Sequence, residues 1–263
     1  MLDQATRDKI VADLNETYVT RKALPLLTQT YPDIEVEDAY RIQEAFIRQR
    51  VEAGRVIRGY KVGLTSKVMQ ESMGSSEPDF STMTDDLFLP EETPLDSEQF
   101  FFPMIEIEIA FVLKESLPSS GVLPVDVIRA TDFVLPSIEI VDFRVGPAQG
   151  MTITDTVADL AACGAAVLGG NPCKLEDLDI RKVHGQMLIN GKVEQEGYAS
   201  AVLGNPVTSV AWLANKLGEF GIEFQAGDTI LTGSFVRAIP VKKGDEVIAR
   251  FDSGLGDVLT SFV

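Results

Sequence analysis

The stretch FFPMIEIEIAFVL, residues 101–113, constrains the fold of this 263-residue chain more than any other. Its run of Ile, Val and Phe predicts a β-strand. Because side chains alternate along a strand, its three central isoleucines are predicted to face one side of the sheet, and Glu106 and Glu108 the other. The Cα atoms of the two glutamates would then lie about 7 Å apart.

Strand and helix signals elsewhere define the fold class. Further strands are predicted at 56–62, 133–143, 228–234, 246–251 and 257–263, and a hairpin turns at Asn190-Gly191 within 186–194. Helical spacing of apolar residues predicts helices at 3–20, 36–53 and 207–219. Helices followed by a strand-rich body predict an α+β protein, in which a helical N-terminal cap covers a mostly antiparallel sheet.

We place the N-terminal cap region at 1–80 and the β-rich catalytic core at 81–263, the two forming one functional unit. Three prolines and many acidic residues mark the transition, which falls somewhere between residues 75 and 100. No internal repeat is visible along the sequence.

Composition excludes several classes of protein. The 23 basic and 40 acidic residues give a net charge of −17, which disfavours nucleic acid as a partner. No apolar run reaches the ~20 residues of a membrane-spanning helix, and the first residues lack a signal-peptide core, so we expect a cytoplasmic protein with no membrane partner. The two cysteines, Cys163 and Cys173, are too few for a disulfide framework and are predicted to be reduced, buried thiols.

The acidic residues in apolar strands are the first candidate site. A second acid-bearing run, PSIEIVD at 136–142, follows the Glu106–Glu108 strand. Three carboxylates converging from two strands suit an octahedral Mg²⁺ or Mn²⁺ ion. Glu139 is the predicted third ligand, with Asp142 as the alternative. The competing interpretation is a half-buried strand with a solvated acidic face.

Two further stretches carry candidate residues. In GYKVGLTS, residues 59–66, Lys61 lies between two glycines at a predicted strand end, where the backbone approaches a ligand closely; the alternative is a surface lysine on an edge strand. In SSEPDF, residues 75–80, Asp79 could be a general base on a lid loop. Pro-Asp is also a common turn, and the residues alone favour that turn.

Residues 232–235, TGSF, offer small side chains and backbone N–H groups that could hold a carboxylate. Alternatively, they form a bend before Pro240. The chain lacks the G-x-S-x-G, P-loop and G-x-G-x-x-G motifs, and its one histidine, His184, has no nucleophile pattern around it. We therefore expect His184 to be structural.

Taken together, the motifs resemble a known family over nearly the whole chain. This is the 2-oxopent-4-enoate hydratase, 2-oxohept-4-ene-1,7-dioate hydratase and 4-oxalocrotonate decarboxylase family, within the fumarylacetoacetate-hydrolase-like superfamily. The resemblance is carried, in order, by GYKVGLTS (59–66), SEPDF (76–80), IEIEIAFVL (105–113), TDFVLPSIEIVDFR (131–144), VLGNP (202–206), VAWLANKL (210–217) and ILTGSF (230–235).

The resemblance implies a mixed β-sandwich roll with an N-terminal helical cap, a homo-oligomer that is a dimer or a ring of dimers, and a small anionic 2-oxo or 2-hydroxy dienoate as substrate. It implies Mg²⁺ bound by Glu106, Glu108 and Glu139, with Mn²⁺ as an alternative ion, and catalytic roles for Lys61 and Asp79. We expect the substrate to contact the two small-residue loops, at Leu64, Thr65, Ser66, Gly233 and Ser234.

Asp79 favours a hydratase, which would give a 4-hydroxy-2-oxo acid in meta-cleavage aromatic catabolism. The decarboxylases of the family tend to lack an acid at this position. The acylpyruvate C–C hydrolases of the superfamily use a Glu–His dyad, which this chain lacks. The remaining alternative is a non-enzymatic partner subunit. Such a subunit would have no chemical need for buried carboxylates, so it is the least favoured of the alternatives. One departure concerns substrate preference: Leu160 follows Asp159, where the family usually has Asn.

Overall fold

The computed structural model describes residues 1–147 and 149–263. Helices dominate the beginning of the chain, and the three helices predicted from periodicity are confirmed as α1, α3 and α7. Over the described residues the helices are α1 (Gln4–Thr20), α2 (Leu27–Thr30), α3 (Val36–Glu52), α4 (Lys67–Ser72), α5 (Pro124–Ala130), α6 (Ile153–Ala158) and α7 (Pro206–Gly218). The side chains of Asp3, Ser66 and Asn205 cap α1, α4 and α7.

Strands make up most of the remainder. They are β1 (Ile57–Gly63), β2 (Asp79–Thr84), β3 (Phe88–Leu89), β4 (Pro94–Leu95), β5 (Met104–Leu113), β6 (Thr131–Val141), β7 (Cys163–Leu168), β8 (His184–Ile189), β9 (Lys192–Tyr198), β10 (Thr229–Leu231), β11 (Ile239–Pro240), β12 (Glu246–Phe251) and β13 (Gly256–Phe262). The predicted Asn190-Gly191 hairpin joins β8 and β9, with both turn residues at positive φ.

Two sheets form the β-rich part of the molecule. The larger follows the order β2-β1-β10-β5-β6-β7-β3, and the smaller β4-β13-β12-β8-β9. The edge strands β2 and β3 of the larger sheet are joined by only the three-residue turn Asp85–Leu87, so this sheet curls until its two edges approach each other. The predicted α+β roll is confirmed. Pairing is mainly antiparallel, but β1–β10, β3–β7 and β4–β13 are parallel.

The isoleucine side of β5 forms the core between the two sheets, as the alternation predicts. Ile105, Ile107 and Ile109 are fully buried. A Cβ on Gly185 of β8 would lie 2.9 Å from Ile107 Cδ1, so the smaller sheet packs directly on this side. The glutamate side of β5 is therefore left to face the inside of the roll.

The N-terminal part of the chain contributes strands as well as helices to this arrangement. β1 pairs with β10, and β2 pairs with β1, so residues on both sides of position 80 share one sheet. The division at residue 80 stays a prediction about folding units. Cys163 is fully buried, but Cys173 is only half-buried, because it lies in a loop where its thiol approaches the carbonyl of Gly254; the prediction of a buried thiol is wrong for Cys173.

Candidate metal centre

Three glutamates converge on the inner side of the roll. Glu106 and Glu108 alternate along β5, and Glu106 lies directly opposite Glu139 in the β5–β6 register. One carboxylate oxygen from each of the three lies within 4.8 Å of the others. Glu108 and Glu139 are almost fully buried, whereas Glu106 is partly exposed. Asp142 is not part of this cluster, because its carboxylate accepts hydrogen bonds from the backbone of Phe101 and Phe102.

The glutamates are incompletely satisfied by protein groups. Glu108 Oε2 accepts a hydrogen bond from the backbone N–H of Gly233 at 2.8 Å. Glu108 Oε1 is buried and has no hydrogen-bond partner among the described residues. A buried carboxylate oxygen without a donor is unfavourable unless it is protonated or binds a cation.

Lys61 and Asp79 lie beside the three glutamates, although β1 and β2 are far from β5 in sequence. Lys61 Nζ forms an ion pair with Glu139 Oε1 at 2.9 Å, and both side chains are buried. Asp79 is opposite Gly63 in the β1–β2 register, and a Cβ on Gly63 would overlap Asp79 Oδ1 and lie 3.6 Å from Lys61 Nζ. Gly63 thus leaves room for the Asp79 carboxylate, a constraint that the position of this glycine in the sequence did not reveal.

These positions exclude the simpler interpretations of Lys61 and Asp79. Lys61 is 4% exposed on an interior strand, so it is not a surface lysine. Asp79 is 3% exposed and begins β2, so the turn or lid-loop position predicted from Pro-Asp is wrong. The pairing of β2 with β1 draws the residue after Pro78 into the sheet.

Burial and mutual repulsion raise the pKa values of the acids. Burial, reinforced by Glu139, raises the pKa of Glu106 to about 8, and the same causes raise the pKa of Glu108 well above its usual value. Burial also raises the pKa of Asp79 to about 6, an effect that Lys61 partly offsets. For Lys61, burial favours the neutral amine, but Glu139 and Asp79 outweigh it and raise the lysine pKa. The site therefore holds more acidic groups than its one ammonium group can balance, and burial keeps some of them protonated.

The residues predicted to contact substrate lie in two adjacent loops. Thr65 Oγ1 is 3.5 Å from the carbonyl oxygen of Ser234, and a Cβ on Gly233 would overlap Thr65. The Ser66 hydroxyl caps α4, and the Ser234 hydroxyl donates to the carbonyl of Val236. The N–H of Gly233 already serves Glu108, so it is not free to hold a substrate carboxylate. Substrate contact by Leu64 and the other loop residues stays a prediction.

The donor set fits a hard divalent cation. Mg²⁺ and Mn²⁺ prefer oxygen ligands, and the three glutamates offer six carboxylate oxygens. Two of these oxygens are buried without a hydrogen-bond partner among the described residues: Glu108 Oε1, and Glu139 Oε1, whose contact with Lys61 is an ion pair. Raised carboxyl pKa values are the expected state of such a cluster when no cation compensates its charge. The rolled sheet encloses a carboxylate cluster, a lysine and a further acid. This arrangement is typical of a metal-dependent enzyme.

Comparison with known proteins supports this class. The fumarylacetoacetate (FAA) hydrolase C-terminal family matches residues 92–263. The chain belongs to this family. This match confirms the superfamily inferred from the motifs, and the relatives described next confirm its hydratase and decarboxylase branch.

Relatives and solved structures cover the whole chain. The 2-oxo-hept-4-ene-1,7-dioate hydratase of Escherichia coli is 37% identical over the full length of both chains. The 2-hydroxyhexa-2,4-dienoate hydratase of Comamonas testosteroni is 39% identical, covering 95% of this chain and 94% of the relative. The 4-oxalocrotonate decarboxylase from Pseudomonas putida G7, complexed with magnesium and adipate, is 34% identical with a TM-score of 0.95, covering 100% of this chain and 99% of the other.

Proposed function

We propose that this chain is a divalent-metal-dependent hydratase, which adds water to a 2-hydroxy-2,4-dienoate, or its 2-oxo-4-enoate tautomer, to give a 4-hydroxy-2-oxo acid in meta-cleavage aromatic catabolism. One observation carries the proposal: Glu106, Glu108, Glu139, Lys61 and Asp79 all meet on the inner side of the roll. The hydratases among the relatives support it through their names and their full-length similarity.

In this proposal Glu106, Glu108 and Glu139 hold Mg²⁺, with Mn²⁺ as an alternative. When bound, the ion supplies Lewis acidity to the carboxylate and 2-oxygen of the substrate and stabilises negative charge there during ketonisation. Because Glu106 is the partly exposed member of the cluster, the substrate is proposed to reach the ion from its side.

Lys61 provides the positive charge that an acidic protein needs in order to admit an anionic substrate. Its pKa is raised, so it stays an ammonium group at neutral pH, and its ion pair with Glu139 fixes its position. An ammonium group buried here lowers the energy of an anionic dienolate through Coulomb attraction at low dielectric.

Asp79 is proposed as the acid/base group for hydration. Addition of water places a hydroxyl group on C4 of the substrate and a proton on carbon, so one group must take a proton from water and another proton must be delivered. A carboxyl with a pKa of about 6 exchanges protons readily near neutral pH, and the Oδ1 atom of Asp79 has no hydrogen-bond partner among the described residues. Decarboxylation requires an electron sink but no activated water.

The mass of the product tests this proposal. 2-Hydroxypenta-2,4-dienoate and 2-hydroxymuconate-type dienoates are incubated with enzyme and Mg²⁺, with and without EDTA. A gain of one water that EDTA abolishes is expected. Cleavage into two acids would identify a C–C hydrolase instead and contradict the hydratase proposal.

The second candidate is a decarboxylase, favoured by a specific observation. Two 4-oxalocrotonate decarboxylases among the relatives, from Pseudomonas sp. CF600 and Pseudomonas putida, are 35% and 38% identical to this chain. Loss of carbon dioxide from the muconate-type substrate, with no gain of water, would select this candidate. It would also remove the role of Asp79.

The remaining proposals concern assembly and location. None of the helices in the described part of the chain has the length and hydropathy to span a membrane. We propose a homo-oligomer, a dimer or a ring of dimers, that acts in the cytoplasm. Its mass by light scattering and its distribution on cell fractionation test these two points.

A further inference from the structure

The turn Leu160–Ala162, between α6 and β7, has an unfavourable backbone. Its three residues have φ values of 55°, 49° and 59°, and none of them is glycine. The left-handed region is unfavourable for a residue with a Cβ atom, because the Cβ crowds the following carbonyl oxygen. Three such residues in succession persist only where the surroundings hold them, and strained backbone of this kind is concentrated at functional sites.

One buried ion pair holds this turn at both ends. The carboxylate of Asp159 accepts hydrogen bonds from Arg144 Nε and, at 2.6 Å, from the backbone N–H of Arg144. Arg144 Nη2 donates to the carbonyl of Asp159, before the turn, and to that of Cys163, after it, both at 3.0 Å. Arg144 and Asp159 are each 3% exposed. A single guanidinium group therefore bridges the two ends of the left-handed segment.

The turn adjoins the proposed active site on two sides. It packs against β2, the strand that begins with Asp79. Cys163, the first residue of β7, is fully buried and lies near enough to Glu139 and Lys61 for their charges to influence its thiol. β7 then pairs with β6, where Ala166 is opposite Glu139.

We propose that Arg144 and Asp159 are positioning residues for the reaction. Their ion pair holds the turn Leu160–Ala162 against β2 and thereby fixes Asp79 and Lys61 relative to the three glutamates. The catalytic part of this proposal rests on the proposed function. The conformational part does not, and the two are tested separately.

The conformational test measures the reactivity of the Cys163 thiol. In a Cys173→Ser background, Asp159→Asn is expected to increase the rate at which a disulfide reagent modifies Cys163 by about tenfold or more, because the turn opens once its charged acceptor is lost. The matched control is Asp38→Asn, which removes another buried carboxylate, paired with Arg7 between α1 and α3. It should lower thermal stability and leave the thiol rate at the parent value. Equal rates in the parent and in Asp159→Asn would overturn the proposal.

The catalytic test compares kcat, KM and binding of Mg²⁺ alone in the same variants. Asp159→Asn is expected to lower kcat about tenfold or more, with KM and Mg²⁺ affinity within threefold of the parent, because strand pairing rather than the turn holds the glutamates. Unchanged kcat at a temperature where the variant is folded would reduce the ion pair to a structural role and refute the positioning role.

Arg144→Lys keeps the test decisive if Asp159→Asn does not fold. Lysine retains the charge opposite Asp159 but lacks the forked geometry that reaches both carbonyl groups. It should therefore increase thiol reactivity and lower kcat in the same direction. If the parent enzyme shows no hydratase or decarboxylase turnover, the proposed function fails, whereas the thiol rates still decide whether the ion pair holds the turn.

Discussion

At the scale of single residues, burial distinguishes the proposed catalytic groups from the many acids on the surface. The chain has 40 acidic residues, but few are both deeply buried and short of hydrogen-bond donors. Asp79 Oδ1 and Glu108 Oε1 are two such atoms. A buried oxygen without a donor requires a cation or a proton. These two atoms are therefore the ones we assign to metal binding, for Glu108, and to proton transfer, for Asp79.

Substitution of one cluster carboxylate tests the metal site. Glu106→Gln should lower Mg²⁺ affinity by about two orders of magnitude, because an amide offers one neutral oxygen in place of a charged carboxylate. Isothermal titration calorimetry measures the affinity, and circular dichroism verifies the fold. The exposed Glu176→Gln is the control and should bind Mg²⁺ normally. Parent-like affinity in Glu106→Gln would show that the ion binds elsewhere.

Substitution of Asp79 separates chemistry from binding. Asp79→Asn should lower kcat for hydration by about 10²–10⁴-fold, the usual contribution of a general acid or base. Mg²⁺ affinity should change little, because Asp79 is not one of the clustered carboxylates. Steady-state kinetics and metal titration give the two values. Glu77→Gln, an exposed neighbour, serves as the control, and an unchanged kcat in Asp79→Asn would remove its assigned role.

At the scale of elements, strand register fixes the relative positions of the glutamates. Beside them, a strained turn packs against β2, the strand that begins with Asp79. The β5–β6 register places Glu106 opposite Glu139. The turn Leu160–Ala162 has no such regular support and is held by Arg144, whose Nη1 also donates a hydrogen bond to the hydroxyl of Tyr18 on α1. Helix α1 therefore contributes a hydrogen bond to the ion pair that holds a segment next to the site.

Relief of backbone strain tests the conformation of this turn. Ala161→Gly should raise the free energy of unfolding by about 1 kcal/mol, since glycine avoids the left-handed cost of 1–2 kcal/mol but adds roughly 0.5–1 kcal/mol of chain entropy. Thermal unfolding should show an increase of about 2–4 °C. A matched Ala45→Gly change in helix α3 should have the opposite sign. Destabilisation by Ala161→Gly would show that the turn is not left-handed in solution.

At the scale of the whole molecule, metal binding and folding are linked through protons. Glu106 has a pKa of about 8 in the metal-free fold and about 4.3 in an unfolded chain. The folded state therefore binds more protons than the unfolded state between these values, and the metal-free protein loses stability as pH rises through this range. A divalent cation binds the deprotonated carboxylates and compensates this loss.

The difference in Tm between Mg²⁺-loaded and EDTA-treated protein should accordingly increase from pH 5.5 to pH 8. Thermal unfolding at a series of pH values and constant ionic strength measures it. In Glu106→Gln the difference should be smaller and should depend less on pH. A Tm difference that stays constant across the series would contradict the link between the carboxylate cluster and metal.

The sequence alone determined the local features of this protein. Alternation along β5 predicted which side carries Glu106 and Glu108, helical spacing predicted α1, α3 and α7, and the ordered motifs indicated the family. These features depend on neighbouring residues and on backbone periodicity, which the sequence displays directly.

Only the tertiary structure decided what lies beside the glutamates. From the sequence, Lys61 could have been a surface residue and Asp79 a turn residue. In the structure, the pairing of β1 with β2 and β10 brings both groups next to Glu139. The Arg144–Asp159 ion pair and the left-handed turn that it holds had no sequence signal, because Leu and the alanines rarely adopt that conformation. Burial, ion pairs and raised pKa values arise from contacts between distant segments, and folding is what creates those contacts.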